Sequence, residues 1–184
     1  MSIVLIVIVG VAVLAAAGGL VVGRPVLRSR RLRHRFGPEY DRALGQFGSR
    51  REAERNLAER QRRYRDLDIR DLPAETKTKY EAAWSALQER FVESPADALA
   101  QADALITRVM HERGYPTGAR EKRMEILSVA HGRSLDRYRQ AQEIDRLREA
   151  GKASTEDLRQ ALLYHRTLFA ELLGRTPDAL SQGK

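Results

Sequence analysis

The first constraint on this chain is the run Ile3–Val22, twenty residues of Ile, Val, Leu, Ala and Gly without a single charge. At about 1.5 Å per helical residue such a run spans the ~30 Å hydrocarbon core of a bilayer. In lipid every backbone N–H and C=O has to be satisfied within the segment, which leaves a helix as the single-pass solution. Residues 1–23 are therefore expected to form a single N-terminal transmembrane helix. Only Met1 and Ser2 precede the run, whereas Arg24, Arg28, Arg30, Arg31, Arg33 and Arg35 follow it. The positive-inside rule keeps that end in the cytoplasm, so a single-pass protein of the cell (inner) membrane with a cytoplasmic C-terminal domain is expected. A cleavable signal peptide is the rival, with Ala15-Ala16-Ala17 offering small residues, but such peptides carry their positive charge ahead of the apolar run. Ala15, Gly19 and Gly23 are spaced as small-xxx-small, either a dimerising face or incidental small residues in an apolar helix.

Charge is distributed as unevenly as hydrophobicity. The formal net charge is +8, yet residues 24–65 hold 14 Arg against 5 acidic residues, while residues 66–184 hold 19 basic and 20 acidic ones. The excess sits beside the anchor, where a basic residue close to an anionic leaflet gains on the order of 1 kcal/mol. Anionic lipid headgroups are thus the expected partners of the six arginines from Arg24 to Arg35. Nucleic acid is the competing polyanion; the block has no recognised nucleic-acid module and no aromatic stacking platform, which makes it the unlikely partner. With no Cys, thiol catalysis, thiolate metal sites and disulfides are excluded.

Residues 24–70 read as a basic juxtamembrane helical spacer. Gly37 ends one helix and Pro38 opens another, which Gly45 and Gly48 interrupt. The following stretch SRREAERNLAERQRRYRDLD is nearly all charged, with Ala53, Leu57 and Tyr64 on one narrow stripe, and is expected to be exposed: a solvated spacer, or a docking helix for lipid or an acidic partner.

From Asp71 the amphipathic signal strengthens, and residues 71–173 are expected to form a small antiparallel helical bundle. Tyr80, Trp84, Leu87 and Phe91 mark one face of a helix from about Pro73 to Val92. Ser94-Pro95 opens the next helix, which carries Leu99, Ala102, Ile106, Val109 and Met110 until Gly114 and Pro116 stop it, and two helices so closely joined fold back as a hairpin. A short helix is expected within 117–133, broken at Gly132. From Ser134 a helix carries Leu135, Tyr138, Ala141, Ile144 and Leu147, and the capping signature Ser154-Thr155-Glu156-Asp157 opens a last one with Leu158, Ala161, Leu162, His165, Leu168, Phe169 and Leu172. Residues 174–184 read as a flexible tail. With no period-2 strand pattern, the class is all-α. Trp84, Leu87, Phe91, Leu99, Ile106, Val109, Leu162, Leu168 and Phe169 are the expected core.

The runs RFGPEYDRAL, WSALQERFVESPADALAQADALITRVMHERGYP and ASTEDLRQALLYHRTLFAELL resemble a family of uncharacterised bacterial proteins with one N-terminal membrane segment and an α-helical domain. The resemblance covers about Phe36 to Leu173. It implies a bacterial membrane protein, often labelled hypothetical or secreted, and brings no activity with it.

Chemistry is sparse. His34, His111, His131 and His165 are too widely spaced for a helical metal pair, and phosphate-binding glycine loops and a nucleophile elbow are missing, so no catalytic residue, metal or cofactor is expected. Two polar residues fall on apolar stripes, Asp103 and His165; each is expected as a core polar group with a partner, and a pH-sensing or catalytic pair would require them to meet. The resulting expectation is a non-enzymatic, membrane-tethered helical module that binds a protein partner or self-associates at the inner face of the membrane. The alternative is an enzyme or ligand-binding domain with a pocket between the hairpin and the terminal helix.

Overall fold

The computed structural model of the protein describes residues 27–175, and every regular element among them is an α-helix. Helix α1 covers residues 27–36 of the described part. It is followed by α2 (Pro38–Phe47), α3 (Arg50–Arg65), α4 (Ala74–Glu93), α5 (Pro95–Glu112), α6 (Arg120–Ala130), α7 (Gly132–Glu149) and α8 (Thr155–Leu172). The all-α class is as expected. No described helix is long and apolar enough to cross a membrane; the expected anchor over residues 1–23, Arg24 and most of the expected tail lie outside the described residues.

The chain divides into two compact units, one through Leu57 and one from Ala58 onward. In the first, Gly37 adopts φ 53° at the break and Pro38 opens α2, as expected. Gly45 does not interrupt α2, which runs through it to Phe47 and ends at Gly48 in the left-handed region, φ 67°. The larger correction concerns α3. Its stripe was expected to be exposed, yet Ala53 and Leu57 are fully buried, together with Leu32, Phe36, Tyr40 and Ala43. These last four are spaced 4, 4 and 3 residues apart across the α1–α2 break, an apolar face too short in either helix to register alone. Even Glu54 is buried there, its Oε1 accepting hydrogen bonds from Ser29 Oγ at 2.5 Å and Tyr40 Oη at 2.8 Å.

The second unit is built on α5, which packs against α4, α7 and α8. Ser94 is the single residue between α4 and α5; its N–H bonds Arg90 O at 2.9 Å, its carbonyl receives Ala98 N–H at 3.0 Å, and Pro95 takes the first helical position. The expected core forms around Trp84 and Phe169, whose rings stack with centroids 4.6 Å apart, but Phe91 is only partly buried. The expected helix within 117–133 is α6. Its break falls at His131 and not at Gly132, which is buried as the first residue of α7. On α7, Leu135, Tyr138 and Ala141 are buried, Ile144 is half-buried and Leu147 is 37 % exposed, so the stripe leaves the core as it goes. Helix α8 opens with a full capping box, Asp157 N–H donating to Ser154 Oγ at 3.1 Å and Ser154 N–H to Asp157 Oδ2 at 2.9 Å.

At the end of α5, Gly114 has φ 86° and passes so close to the segment before α4 that a Cβ there would lie 2.3 Å from Asp68 O. The neighbouring Arg113 donates to Leu172 O at 2.7 Å and Arg70 O at 3.1 Å, and lies 3.3 Å from Asp71 Oδ1.

The packing can be checked at two places. Trp84→Ala should lower unfolding free energy by roughly 3–5 kcal/mol, as truncation of a buried aromatic does, and Val92→Ala, at an 85 % exposed site, should stay within about 0.5 kcal/mol in the same denaturant titration. Gly114→Ala should destabilise more than Gly151→Ala: both glycines have positive φ, but only Gly114 meets backbone within 4 Å. Equal midpoint shifts for the two would refute the close approach.

Candidate functional site

Three polar constellations stand out, and the first contains both residues picked from the apolar stripes. Asp103 on α5 and His165 on α8 do approach, His165 Nε2 lying 4.0 Å from Asp103 Oδ1, beyond hydrogen-bond range. The same Oδ1 is already taken: it accepts from Tyr138 Oη at 2.9 Å and from Gln142 Nε2 at 2.5 Å, two α7 residues one turn apart. Asp103 is not fully buried, with 26 % of its side chain exposed, so it draws on solvent as well as on these donors. His165 has no exposure and, among the described residues, no hydrogen-bond partner on either ring nitrogen; its ring meets that of Tyr138 edge-on, centroids 5.5 Å apart. Burial pushes its imidazole down to about 4 against the opposing pull of Asp103 and Asp145, and burial followed by the Asp103 charge holds the Tyr138 hydroxyl well above its ordinary value. The expected partner of His165 is thus a charge at a distance and not a hydrogen bond.

The second constellation was not foreseen. Tyr115 Oη lies 3.1 Å from His131 Nε2, His131 Nδ1 lies 2.9 Å from Glu171 Oε2, and Ser134 Oγ donates to that same carboxylate oxygen at 2.7 Å. A carboxylate, an imidazole and a hydroxyl in series is the arrangement that orients a general base. Here the hydroxyl belongs to a buried tyrosine whose proton is held by burial and by Tyr64, the opposite of an activated nucleophile. The chain joins the α5–α6 connection, the start of α7 and the end of α8. The sequence around His131 and Ser134 mixes apolar residues with Arg133, Asp136 and Arg137 and shows no motif that would single the network out.

The third is the arginine face of the first unit. Of the expected membrane-surface residues, Arg28, Arg30, Arg31, Arg33 and Arg35 are exposed on α1, while Leu32 and Phe36 turn inward. Arg33 differs from the rest, stacking 5.1 Å over the Tyr40 ring and standing 3.5 Å from Asp41 Oδ1. The other four have no ion-pair partner among the described residues. Ser29 projects from the same helix onto Glu54, which fixes the rotation of α1 and so the direction in which the arginines point.

Among the described residues no three His, Asp or Glu side chains converge to hold a metal. Between the hairpin and the terminal helix, where the alternative reading puts a pocket, the rings of Trp84 and Phe169 stack. Two cavities border α5, one of about 260 Å³ between α4 and α5 and one of about 270 Å³ near His111 and Thr117.

The His165 environment predicts a pH profile. A histidine whose folded value lies below its unfolded 6.5 is neutral in both states at high pH, and below 6.5 the unfolded chain takes up a proton that the folded one resists. Stability is therefore fully present above about pH 6.5 and falls as pH drops toward 4, by on the order of 3 kcal/mol. The unfolding free energy of wild type relative to His165→Leu, measured from pH 7 to pH 4, should decrease by that order; a flat difference would remove the assignment.

No protein family, no curated protein and no solved structure matches the chain, so the reading of these sites rests on the chemistry of the residues themselves.

Proposed function

We propose that the protein is a non-enzymatic, membrane-tethered interaction module: the apolar run Ile3–Val22 anchors it in the inner membrane, the arginines of α1 lie on anionic headgroups, and the helical bundle beyond meets a protein partner or a second copy on the cytoplasmic side. The observation that carries the reading is the one-sided chemistry of α1, which turns Leu32, Phe36 and Ser29 into its own unit and leaves Arg28, Arg30, Arg31 and Arg35 exposed, beginning six residues after an uncharged run of twenty. Four basic side chains at an anionic surface gain about 4 kcal/mol together, enough to orient a tethered helix though not to anchor it alone. The non-enzymatic part is supported by the two buried networks. In each, the proton-bearing tyrosine is held in its neutral form, and His165 has no solvent access. Nucleic acid is disfavoured because residues 66–184 carry as much acidic as basic charge.

The chain has no Cys, so a single spin label at Arg30→Cys is unambiguous. In nanodiscs of anionic lipid the label on the full chain should report headgroup depth, and it should lift off in zwitterionic discs or as salt shortens the screening length below ~8 Å. Equal exposure of the label to water in both lipids, or persistent capture of duplex nucleic acid by the anionic-disc sample at physiological salt, would overturn the proposal. An export reporter active at Lys184 would overturn its orientation.

A further inference from the structure

The outer face of the α4–α5 hairpin carries a groove of about 260 Å³ that neither buried network uses. Its α4 wall is Ala83, Ala86, Leu87 and Arg90, and its α5 wall is Gln101, Ala104, Leu105 and Arg108. Both walls follow the spacing i, i+3, i+4, i+7, one stripe of each helix. The helices run in opposite directions, and Arg90 Nη1 donates to Gln101 Oε1 at 3.0 Å, which fixes the register. Leu87 then stands across from Ala104, Ala86 from Leu105, and Ala83 from Arg108. The two leucines are buried and form the floor, at 5 % and 3 % exposure, while the three alanines are exposed and too short to fill the space above it.

One guanidinium therefore marks each end of an apolar trough. Seven residues of helix separate the two ends, about 10 Å at 1.5 Å per residue. Arg90 donates to the neutral Gln101 amide, and neither Arg90 nor Arg108 holds a carboxylate among the described residues. A second copy of the hairpin laid in the trough would bring arginine against arginine. A polyphosphate would leave the three exposed alanines uncovered. What fits is a helix that is small or apolar at two adjacent turns and carries a carboxylate at each end of them.

We infer that the α4–α5 groove is a docking site for an acidic amphipathic helix of a partner protein, with Asp or Glu at positions i and i+7 paired to Arg90 and Arg108 and apolar residues at i+3 and i+4 seated on Leu87 and Leu105. The inference deepens the interaction-module reading by giving the partner a chemistry. Binding energy comes from covering the exposed Ala83, Ala86 and Ala104 above the buried floor, and the terminal charges set register and direction.

The test uses the full chain in nanodiscs and two fluorescent synthetic helices, one with Glu at i and i+7 and one with Lys at both, identical in between. The Glu helix should bind and the Lys helix should not, by anisotropy. Arg90→Glu combined with Arg108→Glu should weaken the Glu helix by about tenfold or more and allow the Lys helix to bind. Ala104→Phe, which fills the trough from an exposed position, should abolish both. Equal binding of the two helices, binding of neither, indifference to the charge swap, or a change in sedimentation mass on the swap without a change in peptide affinity would overturn the inference. The depth of the label at position 30 is read in the same samples. If the peptide fails to bind while the label still sits at headgroup depth, the groove alone is removed. If the label stands in water while the peptide binds, the membrane reading alone is removed.

Discussion

Everything in the second unit depends on burying α5 from three sides at once. Ala98, Leu99, Ala102, Ile106, Val109 and Met110 have no exposure, and α4, α7 and α8 all pack against this one helix. Alanine at two of these positions is what permits the close approach, since a larger side chain would hold the neighbouring helices apart, while the branched and long residues fill the space that remains. The outer groove is a by-product of the same arrangement: α5 spends its bulk inward, and the residues left on its far edge are Ala104, Gln101 and Arg108.

Each unit also carries a carboxylate that accepts hydrogen bonds from side chains of other helices. Glu54 takes hydroxyls from α1 and α2, and Asp103 takes a hydroxyl and an amide from α7. An acceptor withdrawn wholly or in part from solvent is costly when unpaired and directional when paired, so it selects among helix rotations that apolar packing alone treats as nearly equal. That selection matters most in the first unit. A rotation of α1 that pulled Ser29 away from Glu54 would also turn the arginine face.

The contrast between legible and illegible parts of the fold follows from how far each signal reaches along the chain. Helices α4, α5 and α8 were readable because their stripes are long and their starts carry local chemistry, Ser94-Pro95 in one case and Ser154 with Asp157 in the other. The burial of α3 was not, because Ala53 and Leu57 look like an isolated stripe until Leu32, Phe36, Tyr40 and Ala43 are added from two other helices. Phe91 and Leu147 obey their periodicity yet sit near helix ends, where the neighbours no longer cover them. For the polar sites, a polar residue on an apolar stripe was enough to single out Asp103 and His165. The hydrogen-bond donors to Asp103, Tyr138 and Gln142, come from a helix more than thirty residues away, and the His131–Glu171 pair spans 40 positions. Such pairings are set by tertiary packing and leave no spacing to read.

The joint at Arg113 has a mechanical consequence. Arg70 N–H donates to Arg113 O at 3.0 Å while Arg113 Nε donates back to Arg70 O at 3.1 Å, and the same guanidinium holds Leu172 O at the end of α8. Tension arriving along the chain from the side of Asp68 meets this pair of opposed hydrogen bonds before it reaches α4, and loads them together instead of one after another. The force is then passed to the ends of α5 and α8, and α4 is shielded from the pull.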